Sequence, residues 1–226
     1  MALNRLSILG NPNIGVYVFV NDTIAIVPPG LTENEKKMIM ETLNVELLET
    51  KIAGTIINGI MVAGNNNAVI VPRNILDEEL EYLSSTLKKY GINTHVLESR
   101  HTALGNIILM NDKVCLLSPS VEEHEAKRIE DIAGVEVVRK TIMGLSIPGS
   151  LAVITNKGGV IHPDVSDEEL SELESLLGFS LERATVNSGI PFIKTGLIAN
   201  KYGALVGELT TGPEIMRIQR GLGVGD

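Results

Sequence analysis

The chain has no tryptophan and only four tyrosines and three phenylalanines in 226 residues. That leaves too little aromatic surface for a row of base-stacking platforms of the kind that grip single-stranded nucleic acid. One cysteine, Cys115, is present, which excludes an internal disulfide framework and any cysteine-rich zinc site and suits a reducing compartment. Positive charge is also short: 19 Lys and Arg stand against 28 Asp and Glu, a formal net charge of −9. A protein that coats a phosphate backbone has the opposite balance, so DNA binding is not expected. No run of about 18 apolar residues occurs, and the first ten residues hold no apolar signal core; the expectation is a cytoplasmic protein with no membrane contact. With 44% hydrophobic residues, the chain can still bury a sizeable core.

What the sequence does contain is a repeat. Short apolar runs end at Pro28, Pro72, Pro119 and Pro163, and a fifth ends at Gly207, so the endpoints are 44, 47, 44 and 44 residues apart. Ahead of each endpoint stands an asparagine suited to a hairpin tip: Asn21, Asn65, Asn111, Asn156 and Asn200. A glycine precedes the first strand of four units, at Gly15, Gly59, Gly105 and Gly149, with Ile193 in that place in the fifth. A period of this length is the mark of a repeat architecture.

A helix signal follows each endpoint. Four are Ser/Thr-x-x-Glu capping boxes, at Thr32 and Glu35, Ser120 and Glu123, Ser166 and Glu169, and Thr211 and Glu214. The second unit has Asn74 and Asp77, with Leu76, Leu80, Leu83 and Leu87 at helical spacing. A β-rich stretch closes each of the first four units, at 45–48, 94–97, 135–138 and 181–185. The fifth unit lacks one, because residues 221–226 are too short and glycine-rich and read as a flexible end. The stretch 3–9 is an unpaired strand at the other end, and the ten residues from Arg5 to Gly15 match those from Glu49 to Gly59 and from Arg139 to Gly149. The N-terminal strand is therefore predicted to complete the fifth unit and close a ring, which removes an open sheet edge. The strands that end at proline are apolar at successive positions, so both faces should be covered and these strands should line the inside. The fold class is α/β: five quasi-repeated ββαβ units in a closed, pseudo-fivefold ring, a single domain over residues 1–226.

Five such units resemble the pentein, or α/β-propeller, architecture. The wording is more specific: Ser99-Arg100-His101-Thr102-Ala103-Leu104-Gly105-Asn106, Pro148-Gly149-Ser150-Leu151 and Asn156-Lys157-Gly158-Gly159-Val160-Ile161-His162-Pro163. With Gly64-Asn65 and Leu9-Gly10-Asn11, these stretches resemble the translation initiation factor 6 family of archaea and eukaryotes over essentially the whole length. The resemblance implies a binding protein without catalysis, cofactor or metal. Its implied partner is the intersubunit face of the large ribosomal subunit, met through ribosomal proteins and adjacent ribosomal RNA, with the small subunit kept from joining; a monomer is expected. An acidic ring suits a basic ribosomal protein.

The resemblance places the ribosome-binding face at the strand-start end of the ring. It covers Gly15, Asn106, Ser150 and Leu151, and the repeat extends it by position to Ile60 and Lys194. Lys51, Arg100, Arg139, Lys140 and Arg183 fall near the third-strand ends and would add local positive charge. The alternative is a guanidino-modifying pentein enzyme with Cys115 as nucleophile. Against it, the repeat aligns Cys115 with Ile24, Ala68, Gly159 and Gly203, all apolar or small, and His162 with Val27, Val71, Ser118 and Val206. His95, His101 and His124 have no metal-ligand spacing, and no phosphate-cradling glycine motif is present.

Overall fold

The computed structural model describes residues 2–223. The chain opens with β1 (Ala2–Leu6). The first unit is α1 (Ile14–Tyr17), β2 (Phe19–Val20), β3 (Ile24–Val27), α2 (Glu33–Leu43) and β4 (Glu46–Glu49). The second is α3 (Asn58–Met61), β5 (Ala63–Gly64), β6 (Ala68–Pro72), α4 (Asp77–Lys88) and β7 (Asn93–Leu97). The third is α5 (Leu104–Ile107), β8 (Ile108–Met110), β9 (Val114–Leu117), α6 (Glu123–Ala133) and β10 (Glu136–Arg139). The fourth is α7 (Pro148–Leu151), β11 (Ala152–Ile154), β12 (Gly159–Ile161), α8 (Asp167–Leu177) and β13 (Leu181–Arg183). The fifth is α9 (Ile193–Gly196), β14 (Leu197–Ala199), β15 (Gly203–Gly207) and α10 (Gly212–Leu222). The glycine-rich end predicted to be flexible falls partly in α10, and its last three residues lie outside the described ones. None of the described helices is long and apolar enough to cross a membrane.

The strands form five three-stranded sheets. Within each, the first two strands are an antiparallel hairpin and the second pairs parallel with the third. In the fifth sheet the third strand is β1, with Arg5 opposite Val206, just as Glu49 lies opposite Val27 and Arg139 opposite Leu117. The N-terminal strand thus completes the fifth unit. It stops at Leu6 rather than Leu9 because Leu9 and Gly10 take positive φ, 52° and 75°, in a tight turn bridged by Ile8 and Asn11. The same turn recurs at Ala53-Gly54 and Met143-Gly144.

The apolar second strands are buried throughout, as their composition requires. They are not the inner lining, however. Each is the centre of its sheet, sandwiched between apolar clusters, and the first strands β2, β5, β8, β11 and β14 take the inner position.

Three alignments shift by one residue. The fourth hairpin tip is Thr155, whose Oγ1 accepts from the amides of Lys157 and Gly158. Asn21, Asn65, Asn111 and Asn200 do the same with Oδ1. Asn156 therefore sits one place beyond the tip, with Asp22, Asn66 and Asp112. The position of Cys115 is likewise that of Ala25, Val69, Gly159 and Ala204, and that of His162 is Pro28, Pro72, Ser118 and Gly207.

The helix caps follow one plan with local changes. Thr32 and Glu35 form the full reciprocal box, and Ser166 caps α8 through the Glu169 amide. In the third unit the predicted box does not form: the N-cap of α6 is Glu122, without a side-chain cap, and Ser120 pairs instead with Ser118, Oγ to Oγ at 2.7 Å. The glutamate at the third helical position also reaches out of its own helix to the turn that opens a unit. Glu35 accepts from the Leu9 amide, Glu79 from Ala53 and Gly54, Glu169 from Met143, and Glu214 from Ser188 and Gly189. Burial pushes the Glu214 carboxyl up, but hydrogen bonds from Thr185, Thr211 and Gly189 outweigh it and hold the group down to about 2.

Candidate functional site

The five helical turns meet one another in order, α1 with α3, α3 with α5, α5 with α7, α7 with α9, and α9 with α1. We call this set the collar. Backbones approach so closely here that glycine is needed: a Cβ on Gly59 would meet the carbonyl oxygen of Gly15, one on Gly105 that of Gly59, and one on Gly149 that of Gly105. A Cβ on Gly15 would meet the carbonyl oxygen of Lys194. Lys194, not Ile193, is therefore the fifth member of the glycine position, and Thr195 is the equivalent of Val16, Ile60, Asn106 and Ser150.

That register sorts the predicted site residues. Ile60, Asn106 and Ser150 share the half-buried outer rim of the collar with Val16 and Thr195. The Asn106 side chain makes no hydrogen bond among the described residues; the turn is capped by backbone, Asn106 N–H to the Ala103 carbonyl at 3.1 Å. Gly15 is a buried spacer beneath this rim. Leu151 is fully buried in the core between β11 and α8, so it supports the rim from below and offers no surface. Lys194 does not join the rim either, because the glycine position points inward: its side chain lines the axial cavity with Gly105 and Gly149. Burial pushes the Lys194 ammonium down from 10.5 to about 8.

Lys194→Met should therefore stabilise the fold. The folded state disfavours the charged amine, so the penalty is complete below pH 8 and is relieved as pH rises from 8 to 10.5. The difference between 10.5 and 8 corresponds to at most about 3 kcal/mol at pH 7, less the solvent screening of a half-buried side chain. Urea unfolding at pH 7 and pH 10 checks both parts: the variant should gain at pH 7 and lose the rise in stability that the parent shows between the two.

Around the collar, the turns between units add apolar surface that the sequence did not single out. Leu9, Ile56, Leu145, Ile190 and Phe192 are exposed there, five of the large hydrophobic side chains in the described residues that face solvent. The signal was available, since each lies between a third strand and a collar turn, yet short apolar segments in loops have no period to betray them.

One junction departs from the rest. Between β7 and α5, residues 98–103 contain no positive-φ turn, and Glu125 has no such turn to bind. It is fully buried instead, accepting from Arg128 Nη1 at 2.9 Å and from the Glu98 amide at 3.3 Å, with His124 Nε2 at 3.4 Å and His95 Nε2 at 3.6 Å. Arg100 is exposed at this junction, immediately before the Asn106 turn. Of the other cations expected near this end, Lys51 is exposed as well. Lys140 pairs with Glu172 at 2.8 Å, Arg183 with Asp167 at 2.8 Å, and Arg139 donates to the Pro119 and Val121 carbonyls.

Cys115 is fully buried in the core of the third unit, and burial pushes its thiol far above the ordinary range. The thiolate is the nucleophile, and this site suppresses it. Cys115→Ala should cost only about 1 kcal/mol, with Ala25 and Ala204 at the same position elsewhere; a thermal melt checks it.

A sequence profile of the eIF-6 family matches residues 3–221. The chain belongs to the eIF-6 family. A translation initiation factor 6 of Staphylothermus marinus is 60% identical to this eIF-6 chain over 225 residues, covering 100% of it and 99% of that protein. Those of Saccharolobus solfataricus and Pyrococcus abyssi are 47% and 43% identical over 224 and 226 residues, each covering 99% of the chain and 100% of the relative. Among solved structures, a dimethylarginine dimethylaminohydrolase adduct superposes with a TM-score of 0.49 at 15% identity, over 76% of this chain and 68% of that one. A likeness that slight carries no chemistry to an eIF-6 member.

Proposed function

We propose that the chain is a translation initiation factor that binds the intersubunit face of the large ribosomal subunit and prevents the small subunit from joining. The carrying observation is the full-length match to archaeal translation initiation factor 6 proteins at up to 60% identity. The large-subunit face and the exclusion of the small subunit come from the family resemblance set out above. In this reading the five units are one domain, a closed pentein ring, and the protein acts as a cytoplasmic monomer without catalysis. Mass action suffices: a factor at 100 times its dissociation constant opposes a competing association by about 2.7 kcal/mol.

The collar end is the docking face in this proposal. It offers a rigid rim of Ile60, Asn106 and Ser150, flanked by the exposed apolar residues of the inter-unit turns and by Arg100 and Lys51. Protein interfaces combine apolar and polar surface in this way, and an exposed apolar set of this kind marks a contact surface. The hairpin tips lie at the other end of the strands and carry Asp22, Asn66, Asp112 and Asn156 in a hydrogen-bonded chain.

Asn106→Arg places a bulky charge in the rim without touching the core. Binding to purified large subunits should weaken about tenfold or more, a loss of about 1.4 kcal/mol, and inhibition of subunit joining should fall in parallel while the melting temperature holds. Lys157→Glu, exposed at a hairpin tip on the opposite end, is the control and should bind as the parent does. Co-sedimentation followed by a subunit-joining assay reads both. If Lys157→Glu impairs binding and Asn106→Arg does not, the docking face is the wrong end.

A further inference from the structure

We propose that the axial cavity is a binding site for one small monovalent anion, a halide, held against the ammonium of Lys194. The cavity is about 70 Å3 and is walled by the inner strands, including Val20, Gly64, Met110, Ile154 and Ala199, with Lys194 reaching in from the collar. These are edge strands, and an edge strand has one row of backbone amides and carbonyls outside its own sheet. Among the described residues, no carboxylate lies within ion-pair distance of Lys194 and no acceptor takes its hydrogen bonds. A half-buried charge without a partner is costly, yet a lysine stands where four other units have glycine.

The cavity's chemistry selects the class of ligand. Water fills the volume but leaves the charge uncompensated. Phosphate or sulfate needs several donors around its oxygens, and among the described residues Lys194 is the single charged side chain lining the space. A monoatomic anion needs only a cation, a few amides and an apolar wall. Burial pushes the Lys194 ammonium down toward 8 when it stands alone; an anion beside it would push it back up.

The hydrogen-bond circuits of the hairpin tips are interrupted at the seam between the fourth and fifth units. Asn21, Asn65, Asn111 and Asn200 each donate Nδ2 to the carbonyl of the next tip, at 2.9–3.2 Å, to Asn65, Asn111, Thr155 and Asn21 respectively. Thr155 has no amide to give, so the link toward Asn200 is missing. A second circuit runs through the next residue: the amides of Lys201, Asp22, Asn66 and Asp112 each donate to the side chain that follows, Asp22, Asn66, Asp112 and Asn156. Its remaining acceptor position is Lys201, a donor. Both circuits break at the seam that carries Lys194 in the collar.

Sodium bromide is the probe. Crystals of the whole chain soaked in it should show an anomalous peak on the axis beside Lys194 Nζ. In solution at pH 7, replacing sodium gluconate, whose anion is too large for the cavity, by bromide at constant ionic strength should raise the melting temperature to a plateau, and NMR should show the Lys194 amine titrating at higher pH in bromide. Lys194→Met should abolish the peak and the plateau. Should that variant not fold, the amine titration of the parent decides alone. An axis without anomalous density, a bromide response unchanged in Lys194→Met, or a titration identical in the two salts overturns the site and leaves water, or an adventitious ion only. None of these readings depends on ribosome binding.

Discussion

A chain lacking residues 1–6 should fail to reach the fold of the whole chain. β1 is a third strand like the others, paired over five residues with β15, every residue of which is buried. Its side chains also tie distant segments together: Asn4 Nδ2 donates to Thr42 Oγ1 at 3.0 Å, and Arg5 Nε donates to the Thr210 carbonyl at 2.8 Å. Removing it strips hydrogen-bond partners from a buried strand, and each unpaired buried group costs about 1 to 3 kcal/mol. Several such losses rival the total stability of a domain, about 5 to 15 kcal/mol. The bared edge of β15 is also a template for pairing with another chain. Size-exclusion chromatography should show aggregates, and circular dichroism no cooperative melt at the parental temperature. A synthetic peptide of residues 1–9 added during refolding should restore part of the native signal, since the missing piece is a strand and not a covalent linkage. A truncated chain that stays monodisperse and melts like the parent would show that β15 does not need its partner.

That expectation was legible in the sequence because it rests on spacing alone. The ten-residue interval from Arg5 to Gly15 repeats at Glu49 and Arg139, and the registers against Val206, Val27 and Leu117 bear the equivalence out. Strand endpoints and most hairpin tips were equally plain, since proline and asparagine mark backbone conformations that few other residues tolerate. The fourth tip was misplaced by one residue because threonine can accept the same two amides through Oγ1 while its neighbour Asn156 looks the part. The box at Ser120 failed for a related reason. Glu122 and Glu125 stand two residues further on, and helix α6 starts where Glu125 can be buried against Arg128 and two histidines. A four-residue collar turn has no period to detect, so the collar was visible only as its glycines.

The same limit explains Lys194. Four glycines announced the close approach of backbones, and in the fifth unit no glycine was there to find, so Ile193 was matched in its place. Lysine at that position is a long polar side chain in a loop, with nothing in the sequence to say that it points to an axis. The rim residues Ile60, Asn106 and Ser150 were legible by counting one place beyond the glycine. The exposed apolar residues of the turns were not, because Leu9, Ile56 and Leu145 stand at different places within junctions of equal length.

Gly105→Ala should destabilise the protein by about 4 kcal/mol, a large loss for the addition of one methyl group. In a helical turn alanine is by itself favoured over glycine by about 1 kcal/mol, so the expected loss has to overcome that gain. The opposing effect is steric. A Cβ on Gly105 would collide with the carbonyl oxygen of Gly59 and lie 3.0 Å from that of Val62, and both obstacles are backbone. A flexible side chain could swing aside; a neighbouring turn cannot move without disturbing its own neighbour, since Gly105 is in turn the obstacle for Gly149. Overpacking in a well-filled core costs about 1 to 3 kcal/mol when side chains yield, and more is expected where they do not. Gly178→Ala is the comparison: that glycine ends α8 at φ +76° with open space around its Cα, so alanine pays only the left-handed strain, about 1 to 2 kcal/mol. Urea unfolding of the two variants should therefore separate them by about 2 kcal/mol or more. Ribosome binding should separate them as well, because Asn106 and Ser150 hang from the collar turns and a displaced turn carries its rim residue out of register with the partner. If both substitutions cost the same and neither affects binding, the collar is loosely packed, and the rigid rim on which the docking proposal depends is not what holds Asn106 in place.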